Sequence, residues 1–207
     1  MKLIFATGNQ GKVSSLQRYM QHAHVQIEAR DLDLIEPQFD DIEDIARAKA
    51  EYAYRKLGLP VLVQDTGFYI EALNGFPGPY ARYVNETIGA QGILDLMIGE
   101  ENRKCGFVGV LAFADAQGQI TTFRDENATG VIAQEMDQTA LRQDAWSVLW
   151  HIFIPEGTTD VLNCLDDETR NWWYTIHREK NNFSTFADWF VQNQLAETNH
   201  KQKRILG

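Results

Sequence analysis

The spacing of apolar side chains predicts alternating strands and helices in the first part of the chain. Residues 3–6 form a short apolar run, which is typical of a buried strand, and residues 25–29 alternate between apolar and polar side chains as a second strand would. Between them, residues 13–20 place apolar side chains at helical spacing. Residues 42–57 keep the helical period for longer and end at Gly58, so they predict a strong helix.

The rest of the chain predicts more strands than helices. Gln117 and Gly118 separate two apolar runs, which is typical of a β-hairpin. Further strands are predicted at residues 60–63, 68–73, 107–114, 119–124, 130–133 and 150–154, and further helices at residues 90–98 and 183–195, the last with Ser184 as its cap. We therefore expect an α/β fold, as a single domain of two lobes with a cleft between them. One lobe comprises about residues 1–100 with the C-terminal helix, and the other, rich in hairpins, comprises about residues 101–175.

The composition narrows the classes of partner. The 207 residues are 44% apolar, which is enough for a buried core, and the net charge is −10. Such an acidic surface argues against binding to nucleic acid or to a membrane surface. Cys105 and Cys164 lack the spacing of a metal site. The chain shows no secretory signal and no membrane-spanning run, so we expect a cytoplasmic protein.

A candidate phosphate loop lies where the first strand becomes the first helix. Backbone N–H groups are unpaired at a helix N-terminus, and the helix dipole favours an anion there. Two glycines would let the backbone approach a phosphate closely, and a lysine would add a mobile positive charge. The candidate substrate-binding residues are Thr7, Gly8, Asn9, Gln10, Gly11 and Lys12. The alternative is an ordinary turn with Lys12 in solvent, and the spacing alone does not distinguish the two.

Asp65 is the candidate for metal-assisted chemistry. It follows a predicted buried strand, and the ligands of α/β sheets collect beyond the carboxyl ends of strands. A carboxylate there can hold Mg²⁺, which prefers oxygen ligands, and can orient a water molecule. Glu36, a lone acid in an irregular loop, is a further candidate. We interpret the acids at residues 40–44 as partners of a helix dipole, and Lys49 as part of a solvated helix face.

Several segments of the first half resemble those of one known family. They read FATGNQGK at residues 5–12, EDIARAKA at residues 43–50, PVLVQDTG at residues 60–67 and ALNGFPGPY at residues 72–80. Together, in this order, they resemble the inosine triphosphate and xanthosine triphosphate pyrophosphatases, which remove non-standard purine nucleotides. The resemblance extends over about residues 1–100.

The resemblance implies hydrolysis of a nucleoside triphosphate between its α- and β-phosphates. It also implies Mg²⁺, a homodimer, and an elongated two-lobed α/β fold with the active site in the cleft. In this sequence, residues 7–12 would hold the phosphates, and Thr66 and Lys180 would bind the substrate. Asp65 would activate a water molecule, and Asp65 and Glu36 would bind the metal ion.

The second half departs from this family at the positions that read the purine base. Trp150 stands where the family carries a base-reading aspartate, and an indole cannot accept a hydrogen bond from a base. Thr185 and Phe186 replace a His-Arg pair of the family, although this chain has His177-Arg178 before Lys180. The base-reading residues are therefore not carried over from the family.

Gln64 is a third departure, because many family members have an acid directly before Asp65, and the lost charge predicts weaker metal binding. The aromatic side chains of the second half are either core or part of a base-stacking or dimer surface; they are Trp146, Trp150, Trp172, Trp173, Tyr174 and Trp189. Two functions stay open at this point. One is an active pyrophosphatase with altered base selectivity, and the other is a catalytically weakened paralogue that binds nucleotides or a protein partner.

Overall fold

The computed structural model describes residues 2–23, 25–35, 37–176 and 181–205, and for residues 194–205 it describes the helix without the side chains. The strands are β1 (Lys2–Ala6), β2 (Gln26–Arg30), β3 (Val61–Ile70), β4 (Pro77–Gly78), β5 (Lys104–Ala114), β6 (Ile120–Ile132) and β7 (Phe153–Pro155). The α-helices are α1 (Gln10–Tyr19), α2 (Ile42–Leu57), α3 (Ala81–Glu86), α4 (Gly89–Leu96), α5 (Asp167–Ile176) and α6 (Asn182–Ile205). Short 3-10 helices lie at Glu71–Leu73 and Val148–His151.

The described strands form one mixed seven-stranded sheet in the order β2-β1-β3-β5-β6-β7, with β4 paired to β3. β1 lies parallel to both of its neighbours, whereas β5, β6 and β7 continue the sheet in antiparallel pairs. Helices surround this sheet, so the predicted α/β class with a mixed sheet is confirmed.

The helices cover both faces of the sheet because successive strand residues point to opposite faces. Leu62 of β3 packs with residues of α1 and α6 in one apolar cluster. The next residue, Val63, packs with the apolar stripe of α2 in a second cluster on the other face. A third cluster joins Phe68 and Ile70, at the far end of β3, to residues of α3, α4 and α5.

Helix α2 follows the sequence closely. The Asp41 side chain accepts a hydrogen bond from the Glu43 N–H at the N-terminus, and Gly58 ends the helix in the left-handed conformation with φ 63°. The apolar stripe from Ile42 to Ala53 is buried. The predicted bounds of residues 42–57 are confirmed.

Two of the long strands were predicted as separate pieces. The predicted strands at residues 60–63 and 68–73 belong to a single strand, β3, because β5 pairs with every residue from Val61 to Ile70. The end of the second prediction was wrong, since Glu71–Leu73 is a 3-10 helix. In the same way, the segments predicted at residues 119–124 and 130–133 are both parts of β6, which pairs with β5 around an irregularity near Phe107. The sequence pattern predicted both strands too short, because polar residues interrupt the apolar pattern in their middle. Backbone pairing to neighbouring strands continues through these polar residues.

Other predicted elements differ in the second half. The strand predicted at residues 150–154 is the 3-10 helix Val148–His151 followed by β7, and α3 and α5 were not predicted. Helix α6 begins at Asn182, and Asn181 rather than Ser184 caps it, since Asn181 Oδ1 accepts from the Ser184 N–H at 2.9 Å. The helix also continues to Ile205, beyond the predicted end at residue 195.

The apolar clusters divide the core differently from the predicted boundary near residue 100. The cluster that contains Phe68 and Met97 also contains Trp150 and Trp173, so residues 68–97 pack with the second half of the chain. None of the described helices has the length and apolar character needed to cross a membrane.

Candidate active site

The candidate phosphate loop connects β1 to α1 and is shaped by its own polar side chains. Asn9 caps α1, because its Oδ1 accepts from the Lys12 N–H at 3.2 Å. Thr7 Oγ1 accepts from the Asn9 N–H at 3.1 Å, and Gln10 is the exposed first residue of the helix. The loop therefore has the predicted strand-to-helix geometry, and the side chains of Thr7 and Asn9 hold its shape.

Lys12 lies beside the central strand. Its Nζ donates to the main-chain oxygen of Gln64 at 3.0 Å, so the first turn of α1 is joined to β3. Gly11 lies against the segment before the second 3-10 helix, since a Cβ built on it would be 3.1 Å from the main-chain oxygen of Asp144 and 3.3 Å from Trp146 Cβ. The phosphate loop is therefore enclosed between β3 and this segment.

One edge of β3 lacks a strand partner next to this loop. β1 pairs with β3 only up to Leu62, and β4 begins to pair with it at Phe68. Between these points, residues 63–67 pair with β5 on one side and with none of the described strands on the other. Because Asp65 lies in the middle of this unpaired edge rather than beyond the end of a strand, the sequence prediction of its position was wrong.

Asp65 forms an ion pair with Lys49. Lys49 Nζ lies 2.5 Å from Asp65 Oδ1, and the side chains are 10% and 14% exposed. The prediction that Lys49 lies on a solvated helix face was wrong. The sequence contained a signal, because Lys49 falls within the stripe of Ala46, Ala50 and Ala53 that α2 buries.

The second oxygen of the Asp65 carboxylate accepts no hydrogen bond from the described residues, although it is buried. A buried carboxylate oxygen is costly without a partner, so this atom is suited to a cation or a water molecule. No group of three or more His, Cys, Asp or Glu side chains that could hold a metal ion occurs among the described residues. Glu36, the other predicted ligand, lies outside the described residues.

A cavity opens on the α1 and α6 face of the sheet, next to Lys12. Its aromatic walls and its polar side chains come from α1, α5, α6, the three central strands and the segment before the second 3-10 helix. The lining residues are Lys12, Ser15, Arg18, Tyr19, Gln64, Thr66, Phe107, Gly109, Asp125, Ala128, Trp146, Trp173, Tyr174, Asn181, Asn182 and Phe183. Burial raises the pKa of Tyr174 to about 12, so its hydroxyl stays protonated as a hydrogen-bond donor.

The alternation of β3 separates the cavity from the Asp65 carboxylate. Gln64 and Thr66 line the cavity, whereas Asp65 points to the α2 face, where it meets Lys49. The substrate-binding position predicted for Thr66 is therefore compatible with the cavity. Gln64 therefore places a neutral amide on the cavity face of β3, where many family members carry an acid.

The aromatic residues of the second half divide between core and cavity. Trp150 is fully buried, with its ring 5.9 Å from that of Trp146 in an edge arrangement, so it does not line the cavity. Trp146 and Trp173 do line the cavity, and Trp172 is 45% exposed. Lys180 and the His177-Arg178 pair lie outside the described residues.

Asp31 is a neighbour of the phosphate loop that the sequence analysis did not single out. A Cβ built on Gly8 would be 2.9 Å from Asp31 Oδ2, so this carboxylate lies against the loop backbone. Asp31 directly follows β2, which pairs in parallel with β1, and the carboxyl ends of parallel strands meet at the same edge. Predicting this contact from the sequence would have required knowing that β1 and β2 are neighbours in the sheet.

A model of the Ham1 family matches residues 3–185, which is most of the chain. The chain belongs to the Ham1 family. The resemblance seen in the sequence segments is therefore confirmed, and the Ham1 match extends well beyond the first half into the divergent second half.

Two named relatives are similar to this chain in sequence, and a solved structure is similar to it in fold. A Methanopyrus kandleri protein named dITP/XTP pyrophosphatase is 39% identical over 193 residues, covering 93% of this chain and 98% of the relative. A Thermococcus kodakarensis protein with the same name is 35% identical and covers 93% of this chain and 99% of the relative. The structure of a HAM1 protein from Coxiella burnetii, 20% identical, has a TM-score of 0.73 over 93% of this chain and 99% of that one. That likeness confirms the expected fold.

Proposed function

We propose that this Ham1-family chain hydrolyses non-canonical purine nucleoside triphosphates to a monophosphate and pyrophosphate. Its relatives bear the name dITP/XTP pyrophosphatase, and this chain spans nearly their whole length. The observation that carries the proposal is the unpaired edge of β3, where Asp65 lies next to the phosphate loop. A triphosphate bound across this edge has its base in the cavity on one face and a carboxylate on the other.

The reaction needs a base for the attacking water molecule. Asp65 accepts a proton from the water as the water oxygen bonds to the α-phosphorus, and the bond to the pyrophosphate oxygen breaks. Lys49 fixes the orientation of the carboxylate through Oδ1, which leaves Oδ2 for the reacting groups. Lys12 and the backbone N–H groups of Gly8, Gln10 and Gly11 hold the phosphate oxygens.

Mg²⁺ fits these residues. Mg²⁺ in nucleotide sites is held by one or two carboxylates, substrate phosphates and water molecules, so a single buried oxygen such as Asp65 Oδ2 is a sufficient protein anchor. Asp31, against the loop backbone, would repel phosphate unless a cation lay between them. The bound ion would neutralise charge on the phosphates. As the resemblance implied, Glu36 would be a second ligand of the ion and Lys180 would bind the substrate. The proposal also keeps the cytoplasmic location expected from the sequence.

A homodimer is part of the proposal. Large apolar side chains are exposed along the stretch 76–88, which contains α3; they are Phe76, Tyr80, Tyr83 and Ile88, of which Tyr83 is 67% exposed. Several exposed apolar side chains within one short segment are a reason to expect a protein–protein interface there. We assign this region to contact with a second copy of the chain.

The proposal is tested by incubating the purified protein with Mg²⁺ and ITP, XTP, dITP and the standard nucleoside triphosphates. Pyrophosphate, orthophosphate and the nucleoside monophosphates are quantified. We expect pyrophosphate and the monophosphate in equal amounts, with ITP or XTP preferred, and a loss of about 100- to 10,000-fold in kcat for Asp65→Asn. Asp188→Asn, which removes the charge of an exposed carboxylate on α6, is the matched control.

A wild-type rate no higher than that of Asp65→Asn for every nucleotide would contradict the enzyme and favour a nucleotide-binding paralogue. Release of orthophosphate instead of pyrophosphate would contradict the proposed bond cleavage.

A further inference from the structure

The floor of the cavity carries a carboxylate to which the resemblance assigns no role. Thr66 of β3 pairs with Gly109 of β5, and Gly109 pairs with Asp125 of β6, so these residues form one row across the sheet. All of them line the cavity. Asp125 is the sole carboxylate among the described lining residues.

This row runs from the phosphate end of the cavity to its other end. Thr66 is part of the unpaired edge of β3, where Lys12 donates a hydrogen bond to the Gln64 main-chain oxygen. Asp125 lies two interstrand spacings away, or about 10 Å along the floor. A nucleotide whose phosphates contact Lys12 would therefore extend its base along this row toward Asp125, past the Asn182 side chain that covers the middle of the row.

The cavity has the features of a site for a flat polar ring. The rings of Phe107 and Trp146 are 4.5 Å apart in an edge arrangement and provide apolar walls. The carboxylate on the floor is held in a fixed orientation, because Asp125 Oδ1 accepts from the Asn127 N–H at 2.8 Å and from Asn127 Nδ2 at 2.9 Å. Asp125 itself is half-buried.

Trp150 cannot perform the task of the aspartate it replaces, since it is fully buried in the core and outside the cavity. We propose that Asp125 is the specificity-determining residue that accepts a hydrogen bond from the purine base. The inference rests on the proposed function, because it takes the cavity as the base site. It goes beyond that function by naming the atom that reads the base.

The chemistry of a carboxylate determines which bases it admits. An ionised Asp accepts hydrogen bonds and donates none. Hypoxanthine, xanthine and guanine carry an N–H at ring position 1, whereas adenine presents a lone pair there. Asp125 therefore favours the first three bases over adenine, and it does not by itself exclude guanine.

The test compares the wild type with Asp125→Asn, whose amide keeps the shape of the side chain and can still accept from Asn127. We expect kcat/KM for ITP and GTP to fall by about 10- to 100-fold, while kcat/KM for ATP stays level or rises, because an amide can also donate to adenine. The matched control is Glu126→Gln, which removes a charge from the exposed face of the same strand.

Dissociation constants for ITP and ATP, measured by calorimetry in EDTA, separate recognition from catalysis. An ITP-to-ATP affinity ratio that falls in Asp125→Asn supports the assignment even if no triphosphate is hydrolysed, in which case the proposed function alone is overturned. Equal losses for ITP and ATP, or unchanged values for both, would overturn the role of Asp125. Failure of the wild type to bind either nucleotide would overturn both ideas.

Discussion

The ammonium group of Lys49 lies 2.5 Å from Oδ1 of Asp65, and both side chains are nearly buried. Removing one member of such a pair leaves the other charge without compensation. We expect Lys49→Met to lower the free energy of unfolding by about 3 kcal/mol, and the double variant Lys49→Met with Asp65→Asn to recover most of that loss. Urea unfolding measures both effects.

Lys2, whose exposed side chain pairs with Glu28, is the matched control, and Lys2→Met should cost less than about 1 kcal/mol. If the double variant were as unstable as Lys49→Met alone, the pair would not be the source of the loss. Both Lys49→Met and the double variant should lack pyrophosphatase activity. Catalysis requires the Asp65 carboxylate in the orientation that Lys49 gives it, whereas stability requires only that no buried charge is left unpaired.

Gly67 and Gly109 both exclude a side chain, but for different reasons. A Cβ on Gly67 would lie 2.9 Å from the main-chain oxygen of Gly78, so Gly67→Ala must displace β4 and should cost about 1–3 kcal/mol of stability. A Cβ on Gly109 would lie 2.7 Å from Asn182 Nδ2, the end of a side chain that can turn away.

Gly109→Ala should therefore cost less than about 1 kcal/mol of stability and instead weaken ITP binding by about tenfold, because the added methyl group fills the cavity floor. Thermal unfolding and ITP affinity are measured on both variants. Equal stability losses in the two variants would contradict the distinction between a main-chain and a side-chain obstacle.

Asp137 should make the stability of the folded protein depend on pH in the acid range. Burial alone would raise the pKa of Asp137, but hydrogen bonds from Thr139, Asn163 and His151 outweigh burial and hold the pKa below its usual value of 3.8. A lowered pKa in the folded state stabilises the fold above about pH 4 and loses that contribution as the pH falls further.

We expect Asp137→Asn to be less stable than the wild type by about 1–3 kcal/mol at pH 6, and the difference to shrink between pH 4 and pH 2. Chemical unfolding at a series of pH values gives the two curves. The exposed Asp188→Asn should follow the wild-type curve. A difference between Asp137→Asn and wild type that grew toward low pH would have the wrong sign for this explanation.

The exposed apolar stretch 76–88 should determine the oligomeric state. We expect the wild type to be a dimer by size-exclusion chromatography with light scattering, and Tyr83→Asp to be a monomer because it places a charge in the proposed interface. Ile98→Asp is the control, since Ile98 is 80% exposed but lies outside this stretch, and it should remain dimeric. A Tyr83→Asp protein with the mass of the wild type would exclude this region as the interface.

Local patterns predicted much of the first half correctly. The helical period and Gly58 marked α2 to its observed bounds, and a strand followed by a glycine-containing turn located the loop that Asn9 caps. These features depend on residues close in sequence. The ion pair of Lys49 with Asp65 was not predicted, because a charged side chain on a helix is usually solvated, although Lys49 falls within the apolar stripe of α2.

The cavity could not be predicted from local pattern. Asp125 reaches the cavity only through its register with Gly109 and Thr66, which are far away in sequence. The same holds for Asp31, which meets Gly8 because β1 and β2 are adjacent in the sheet. Pairings between distant strands are decided by the whole sheet, and single residues carry no signal of them.

The alternating pleat of β3 has a consequence for how this enzyme family can change. Since Asp65 and Thr66 point to opposite faces, mutations on the cavity side can alter the choice of nucleotide while the face that carries Asp65 stays intact. A one-residue insertion in the strand would exchange the two faces and abolish both tasks together. A new nucleotide selectivity can thus arise by substitution within this strand, whereas an insertion or deletion of one residue would destroy the site.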